Sequence, residues 1–308
     1  MLRFSVKADQ LLIDAPTFDV AIAGAESNVA VAVAQMGFRS GWFSRLTNNT
    51  LGQRLTRTLT SYGVDCSNVV WTSEDRVGTY FLEFGSAPRP TRVVYDRQHS
   101  ATSKMTPFTF DDTLVGKARI LHLTGITAAL SDGCYALLTH LIDTAQKEGV
   151  HVVFDVNYRA LLWSAETCRE KLTPLLAKVS TLLINQRDAE NIFGIRGEPT
   201  AKIKALHERF GVEQIGLTIG EKGALGYYAG EIIEASGYTV QIVDRIGAGD
   251  AFAAGVICGL LENNFALGIR YGVAISALQL TLAGDIFRLG RSDVLQLMNS
   301  QNSTMLLR

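Results

Sequence analysis

Four short, mainly apolar runs constrain this chain more than any other feature: Arg119–Leu123, Val150–Val156, Thr181–Ile184 and Gln214–Ile219. A strand with one face in water alternates apolar and polar residues, whereas a strand buried on both faces is apolar almost throughout. Each run is rich in Val, Ile or Leu and too short for an ordinary helix, and helical segments separate the runs. Ser131–Glu148 is one such helix, opened by Ser131 as a cap and closed by Gly149. This alternation predicts an α/β domain with a mainly parallel central sheet between helical layers. At 308 residues, 47% of them apolar and 19% charged, one unit spanning 1–308 can bury a large core.

Two stretches break the rhythm. Phe18–Ala23 is extended in character, and Arg76–Phe84 pairs with Thr91–Arg97 across the turn Gly85–Pro90. Strand side chains alternate sides, so Tyr80, Leu82 and Phe84 share one face, as do Val93, Tyr95 and Arg97. A polar-aromatic face on a separate hairpin predicts a small β-sheet lid over the main domain, built from roughly residues 9–24 and 74–100.

Several function classes fall away on composition. The net charge of −1 argues against a nucleic-acid binder, which needs a basic surface to displace counterions. Cys66, Cys134, Cys168 and Cys258 show no paired spacing, and the five histidines no metal-ligand spacing, so neither a disulfide framework nor a zinc site is expected. His122, inside an apolar run, reads as a core or supporting histidine. No stretch approaches the ~18 apolar residues that span a bilayer. Asp9 and Asp14 interrupt any apolar region after Arg3 and Lys7, so a cytoplasmic protein is expected.

The strongest local signal is the string from Val243 to Phe252, V-D-R-I-G-A-G-D-A-F. Gly247 and Gly249 permit a tight turn, and the run Ala251–Leu261 reads as a buried helix. A Gly-rich turn feeding a helix aims free N–H groups at one point and makes an anion site. In phosphoryl transfer such a site, made by Gly247, Ala248 and Gly249, would hold the charge developing on the moving γ-phosphoryl group. Asp250, in the first turn, is placed to accept the proton of an attacking hydroxyl.

DRIGAGDAFAAG closely resembles the C-terminal motif of the ribokinase (PfkB) family of sugar kinases. AGAESNVAVAVAQMG (23–37) resembles its N-terminal Gly-rich motif, and LTIGEKGA (217–224) its ATP-binding strand and turn. Within the family, GTYFLEFG, RVVYDR, LHLTGITAALS, FDVNYRALLW and TLAGD appear in the order of the 2-keto-3-deoxygluconate kinases, so the resemblance covers nearly the whole chain. It implies a ribokinase-like three-layer domain and ATP-dependent phosphorylation of 2-keto-3-deoxygluconate at its 6-hydroxyl, with Mg²⁺ on the phosphates.

By the same resemblance, Gly24 and Asn28 approach the sugar, Arg97 and Arg159 hold the carboxylate and keto group, and Tyr80 and Tyr95 lie beside them. An arginine fork suits a carboxylate because it donates two parallel hydrogen bonds. Asn185, Thr218, Gly220 and Gly223 would line the ATP with Gly247 and Gly249. Asp188 stands where the family has a glutamate and would reach Mg²⁺ through water. Paired lids in the family imply a homodimer or a multiple of it. Gly125, Asn157 to Arg159, Asn185 and Gly220 follow strand ends, where open α/β sheets bind ligands.

Two departures carry expectations of their own. Ala23 replaces the first glycine of a Gly-Gly pair, and its methyl would strain the junction of lid and core if that position needed φ > 0. Family members usually open with a strand ending near Gly-Glu or Gly-Asp, and the present sequence opens at Met1-Leu2-Arg3, so that strand is expected to be missing. A fructokinase or ribokinase is the nearest alternative, in which Arg97 and Arg159 would have no carboxylate to hold. A non-catalytic sugar-acid sensor is the other.

Overall fold

In the computed structural model, described for residues 1–85 and 88–300, the early strands build outlying sheets and the middle of the chain builds the central one. β1 (Leu2–Ser5) pairs antiparallel with β2 (Asp19–Ile22). Two narrow parallel ribbons follow: β3 (Ser40–Gly41) with β5 (Val64–Asp65), and β4 (Arg45–Thr47) with β6 (Val70–Thr72). β7 (Thr79–Glu83) returns parallel to β1 and carries β8 (Arg92–Asp96) antiparallel on its other edge, giving a small sheet of order β2-β1-β7-β8.

β9 (Ile120–Thr124), β10 (His151–Asp155), β11 (Thr181–Asn185) and β12 (Gln214–Thr218) run parallel, joined to one another by helical crossovers. β13 (Gly223–Tyr228) and β14 (Glu231–Ser236) extend that sheet antiparallel, in the order β14-β13-β12-β11-β10-β9. The four expected strands therefore appear with bounds within one residue.

The period of two in the strands sorts the core into two layers. Val152, Phe154 and Val156, with Leu182 and Ile184, pack among helices that include Asp132–Glu148 and Ala165–Leu176. Their neighbours Val153 and Leu183 face the other way, against the helices Ala25–Gln35, Ala248–Leu261 and Phe265–Leu280. The last two helices touch backbone to backbone: a Cβ on Gly255 would lie 2.4 Å from Cα of Gly272, and one on Gly259 would lie 2.2 Å from Cα of Gly268.

The small sheet differs from expectation at its start. It takes in Leu2–Ser5, ahead of residues 9–24, whereas residues 9–18 contribute no strand. The hairpin register places Tyr80 opposite Tyr95 and Leu82 opposite Val93, so the expected shared face exists. Residues 86 and 87 of its turn lie outside the described residues. Ala23 is buried and is not among the four described non-glycine residues with positive φ, so its methyl meets no left-handed backbone.

Beside β9 the central sheet stops. Arg119, Ile120, Leu121, His122 and Leu123 in succession line a cavity of about 920 Å³, whose far wall includes Ser40–Ser44 and Leu46. Successive residues of a strand point to opposite faces, so a run of five along one cavity marks an open strand edge. His122 is half-buried there, its two ring nitrogens buried and without a hydrogen-bond partner among the described residues, and burial lowers its pKa to about 4. It is therefore a neutral histidine of the cavity wall. No described helix is long and apolar enough to cross a membrane.

Candidate active site

The parallel strands end in a row. Thr124 pairs with Asp155 across β9 and β10, and Asn185 pairs with Thr218 across β11 and β12. Just past these ends the chain needs unusual backbone. Asn157 has φ 42°, Gly220 has φ 71° and Gly223 has φ 104°. A Cβ on Gly223 would lie 2.1 Å from the Ala235 carbonyl oxygen, so only glycine permits that crossing. Asn185 caps the helix Gln186–Phe193: its Oδ1 accepts from the Asp188 amide at 2.8 Å, and its Nδ2 donates to Asp188 Oδ2 at 2.7 Å. Burial raises the pKa of Asp188, opposed by Asn185.

Asp250 stands at the centre of the row. The helix Ala248–Leu261 starts within the Gly-rich string, with Gly247 as its cap at φ 83°. The first amides of a helix lack internal acceptors, so those of Ala248, Gly249 and Asp250 converge on one point carrying the positive end of the helix dipole. Asp250 itself is buried and receives Asn28 Nδ2 at 2.7 Å and Asn157 Nδ2 at 3.4 Å. Asn28 comes from the helix Ala25–Gln35, where its amide bonds the Gly24 carbonyl at 2.8 Å. Burial pushes the Asp250 carboxyl up to about 6, against the hydrogen bond of Asn28 and the charge of Arg159. Asp155 rises to about 7, through burial first and the nearby Asp250 second. Asp155 accepts from the Asn157 amide at 3.1 Å and from its Nδ2 at 3.2 Å, which steadies Asn157 in its left-handed conformation.

The expected sugar end is aromatic and cationic. The rings of Tyr80 and Tyr95 lie 5.7 Å apart, and the Arg97 guanidinium sits 4.1 Å over the Tyr95 ring. Arg97 is buried, and its Nε and Nη2 have no hydrogen-bond partner among the described residues. Burial lowers its pKa, and nearby Arg159 lowers it further. An unpartnered buried cation next to a second cation is costly unless an anion joins them. The Arg159 side chain donates to the Tyr158 carbonyl at 3.1 Å. Tyr80 lies beside Tyr95 as expected, and its hydroxyl is engaged with both oxygens of Asp285 at 2.9 Å.

The structure thus joins Asn28, Asn157 and Asp250 in one hydrogen-bonded group, and stacks Tyr80, Tyr95 and Arg97 in another through ring and cation–π contacts. Arg3, Asp155, Asp285 and Glu26, which accepts from the hydroxyls of Thr124 and Thr127, were not singled out by sequence reasoning. Asp155 was legible as the last residue of a strand beside Asn157. Arg3 carried no local signal, because its partners lie more than 240 residues away.

The geometry has counterparts elsewhere. Residues 2–289, nearly the whole chain and every group described above, match the pfkB family carbohydrate kinases. The chain belongs to this family. Among relatives of this pfkB kinase, a 2-dehydro-3-deoxygalactonokinase of Haloferax volcanii is 34% identical over 93% of the chain and 90% of the relative. A 2-dehydro-3-deoxygluconokinase of Bacillus subtilis is 31% identical over 89% of the chain and 85% of the relative. The crystal structure of 2-dehydro-3-deoxygluconokinase from Thermotoga maritima, 32% identical, superposes with a TM-score of 0.92 over 97% of this chain and 95% of that one. The ribokinase-like α/β architecture with its small sheet is therefore the fold of this pfkB kinase.

Proposed function

We propose that this pfkB kinase transfers the ATP γ-phosphoryl group to a 2-keto-3-deoxy sugar acid, with 2-keto-3-deoxygluconate, phosphorylated on its 6-hydroxyl, as substrate. The observation that carries this reading is the buried guanidinium of Arg97, unpartnered among the described residues and close enough to Arg159 to be destabilised by it. A neutral sugar leaves that charge uncompensated, whereas a carboxylate beside a keto oxygen offers acceptors to both forks.

At the other end, Asp250 accepts the proton of the attacking hydroxyl, with Asn28 and Asn157 fixing its two oxygens. The amides of Ala248 and Gly249 meet the charge that builds on the transferred group, at fixed positions and without solvent reorganisation. Thr218, Gly220 and Gly223 lie on the nucleotide side, past the end of β12. Mg²⁺ suits the sparse donor set offered by Asp188 beside Asn185, because it keeps several waters and takes phosphate oxygens; when bound it neutralises phosphate charge. The small sheet covers the sugar end and keeps water from the phosphoryl group.

The galactonate-derived epimer is the second reading, favoured by the relative from Haloferax volcanii. A coupled ADP-release assay on 2-keto-3-deoxygluconate, its galactonate epimer, fructose and ribose tests both readings. Turnover of either keto-acid well above the neutral sugars is expected, and the reverse order would overturn the assignment. In the same assay Arg159→Ala should lower kcat/KM for the keto-acid about tenfold to a hundredfold, since hydrogen bonds to charged groups contribute about 1.5–3 kcal/mol. Arg159→Lys should restore only part of this, and KM for ATP should not move. Equal losses on neutral and acidic substrates would make Arg159 a support of the fold instead.

A further inference from the structure

The largest fully buried side chain among the described residues is a charged one, Arg3, at 1% exposure. It projects from β1, directly beside Tyr80 in the register of β1 with β7. Its Nη1 donates to Asp285 Oδ1 at 2.8 Å and its Nη2 to Asp244 Oδ2 at 2.6 Å. One guanidinium therefore spans two carboxylates on different loops. Asp244 opens the Gly-rich loop and accepts the Ile246 amide at 3.1 Å and the Gly284 amide at 3.2 Å. Asp285 closes the loop after the helix Phe265–Leu280 and accepts the Tyr80 hydroxyl. Gln279 Nε2 donates to the Gly284 carbonyl at 2.7 Å, beneath the same junction.

The junction reaches the reacting centre through Gly247. A Cβ on Gly247 would lie 2.5 Å from the Asp285 carbonyl oxygen, so the loop that carries Asp285 packs directly on the residue that caps the Asp250 helix. Two buried carboxylates this close repel each other, and burial already raises the pKa of Asp285 while Arg3 opposes the rise. Without a cation between them the loops would separate, and the convergent amides would move with Gly247.

We propose that Arg3 is a positioning residue for phosphoryl transfer, the internal cation that locks the Gly247–Asp250 turn against the 281–285 loop and ties both to the small sheet. It touches neither sugar nor nucleotide. It acts through Asp244, Asp285 and Gly247, and the fork matters because its nitrogens point in fixed, separate directions, whereas the three donors of an ammonium rotate about one point. Arg3 and Tyr80 also make the small sheet grip the turn, so the cover over the sugar and the anion site keep one relative placement. The inference rests on the reading of Gly247–Asp250 as the anion site.

The test uses the full chain and its keto-acid assay. Arg3→Lys should lower kcat by roughly tenfold or more while KM for ATP and for the keto-acid stay within about threefold, the signature of an interaction felt in the transition state. Arg3→Gly should lose more, and guanidinium chloride at non-denaturing concentration should restore about a tenfold gain where sodium chloride of equal ionic strength does not. If Arg3→Gly fails to fold, Asp285→Asn takes its place: it retains Arg3 and the side-chain volume, and should lower kcat with a thermal midpoint near wild type. Normal kcat in folded Arg3→Lys would overturn the proposal. So would losses that merely track the unfolded fraction without guanidinium rescue. A wild-type chain that phosphorylates no sugar would overturn the anion-site reading and the proposal together, whereas an active wild type with indifferent variants would overturn the proposal alone.

Discussion

A carboxylate that takes a proton from an alcohol has to be charged, and Asp250 sits where burial disfavours charge. Its carboxyl is pushed up to about 6, so kcat/KM should rise with pH through about 6 and level off above it; a flat profile from pH 5 to 8 would remove Asp250 from the role of base. Asp250→Asn keeps the shape and the bonds from Asn28 and Asn157 but takes no proton, and should cost about 10²–10⁴ in kcat with little change in KM. Stability should carry the opposite sign. Asp250 and Asp155, at about 6 and about 7, both hold protons more tightly folded than in an unfolded chain, where aspartate titrates near ~3.9. Below that unfolded value the pair costs nothing, and stability falls as pH rises through 6 and 7. Asp155→Asn should therefore raise the thermal midpoint more at pH 8 than at pH 5, by roughly 2–4 °C per kcal/mol relieved. Equal shifts at both values, read by differential scanning fluorimetry, would count against a buried charge at that site.

Elements were legible where local chemistry decided them. Ser131 accepts from the Cys134 amide at 3.1 Å and Gly149 adopts φ 66°, so both ends of the helix Asp132–Glu148 were written in its caps. The strands β9 to β12 were legible because burial on both faces leaves little room for polar residues. β1 was not. Its four residues, Leu-Arg-Phe-Ser, alternate like an edge strand, yet Arg3 points inward, and only the distant Asp244 and Asp285 make that acceptable. The Gly-rich string announced the turn and helix, and the structure adds why the first glycine is needed. Gly247 combines φ 83° with a carbonyl 2.5 Å from any Cβ, so Gly247→Ala should both strain the turn and push the 281–285 loop away. Its effect on kcat should exceed that of Gly249→Ala, whose Cβ meets nothing within 4 Å. Matching losses in the two variants would mean that the close approach is unimportant.

Over the whole molecule, the layers and the small sheet followed from period and motif, whereas the place of the open edge, beside β9, is set by the topology of the whole sheet and not by any one segment. Met1 lies at that cavity, its amine bonded to the Ala23 carbonyl at 2.9 Å and lowered by burial to about 6. An engineered extension ahead of Met1, about five to seven Val- and Ile-rich residues at ~3.3 Å each, would span β9 and complete a ladder with it. It should raise the thermal midpoint by several degrees, through apolar contacts and ladder hydrogen bonds. An unchanged midpoint would show that the edge is already satisfied by solvent. The same cavity has a calorimetric consequence. Trp42, Phe43, Ile120 and Leu121 line it and are only half-buried in the folded protein, so their surface adds less than a filled core would to the change on unfolding. Closing that edge should therefore raise the heat-capacity increment of unfolding, since apolar surface newly exposed adds about 0.45 cal/mol/K per Å². Against a whole-chain increment of ~12–15 cal/mol/K per residue the change is only a few per cent, so the curve of stability against temperature should keep its curvature and move mainly in height.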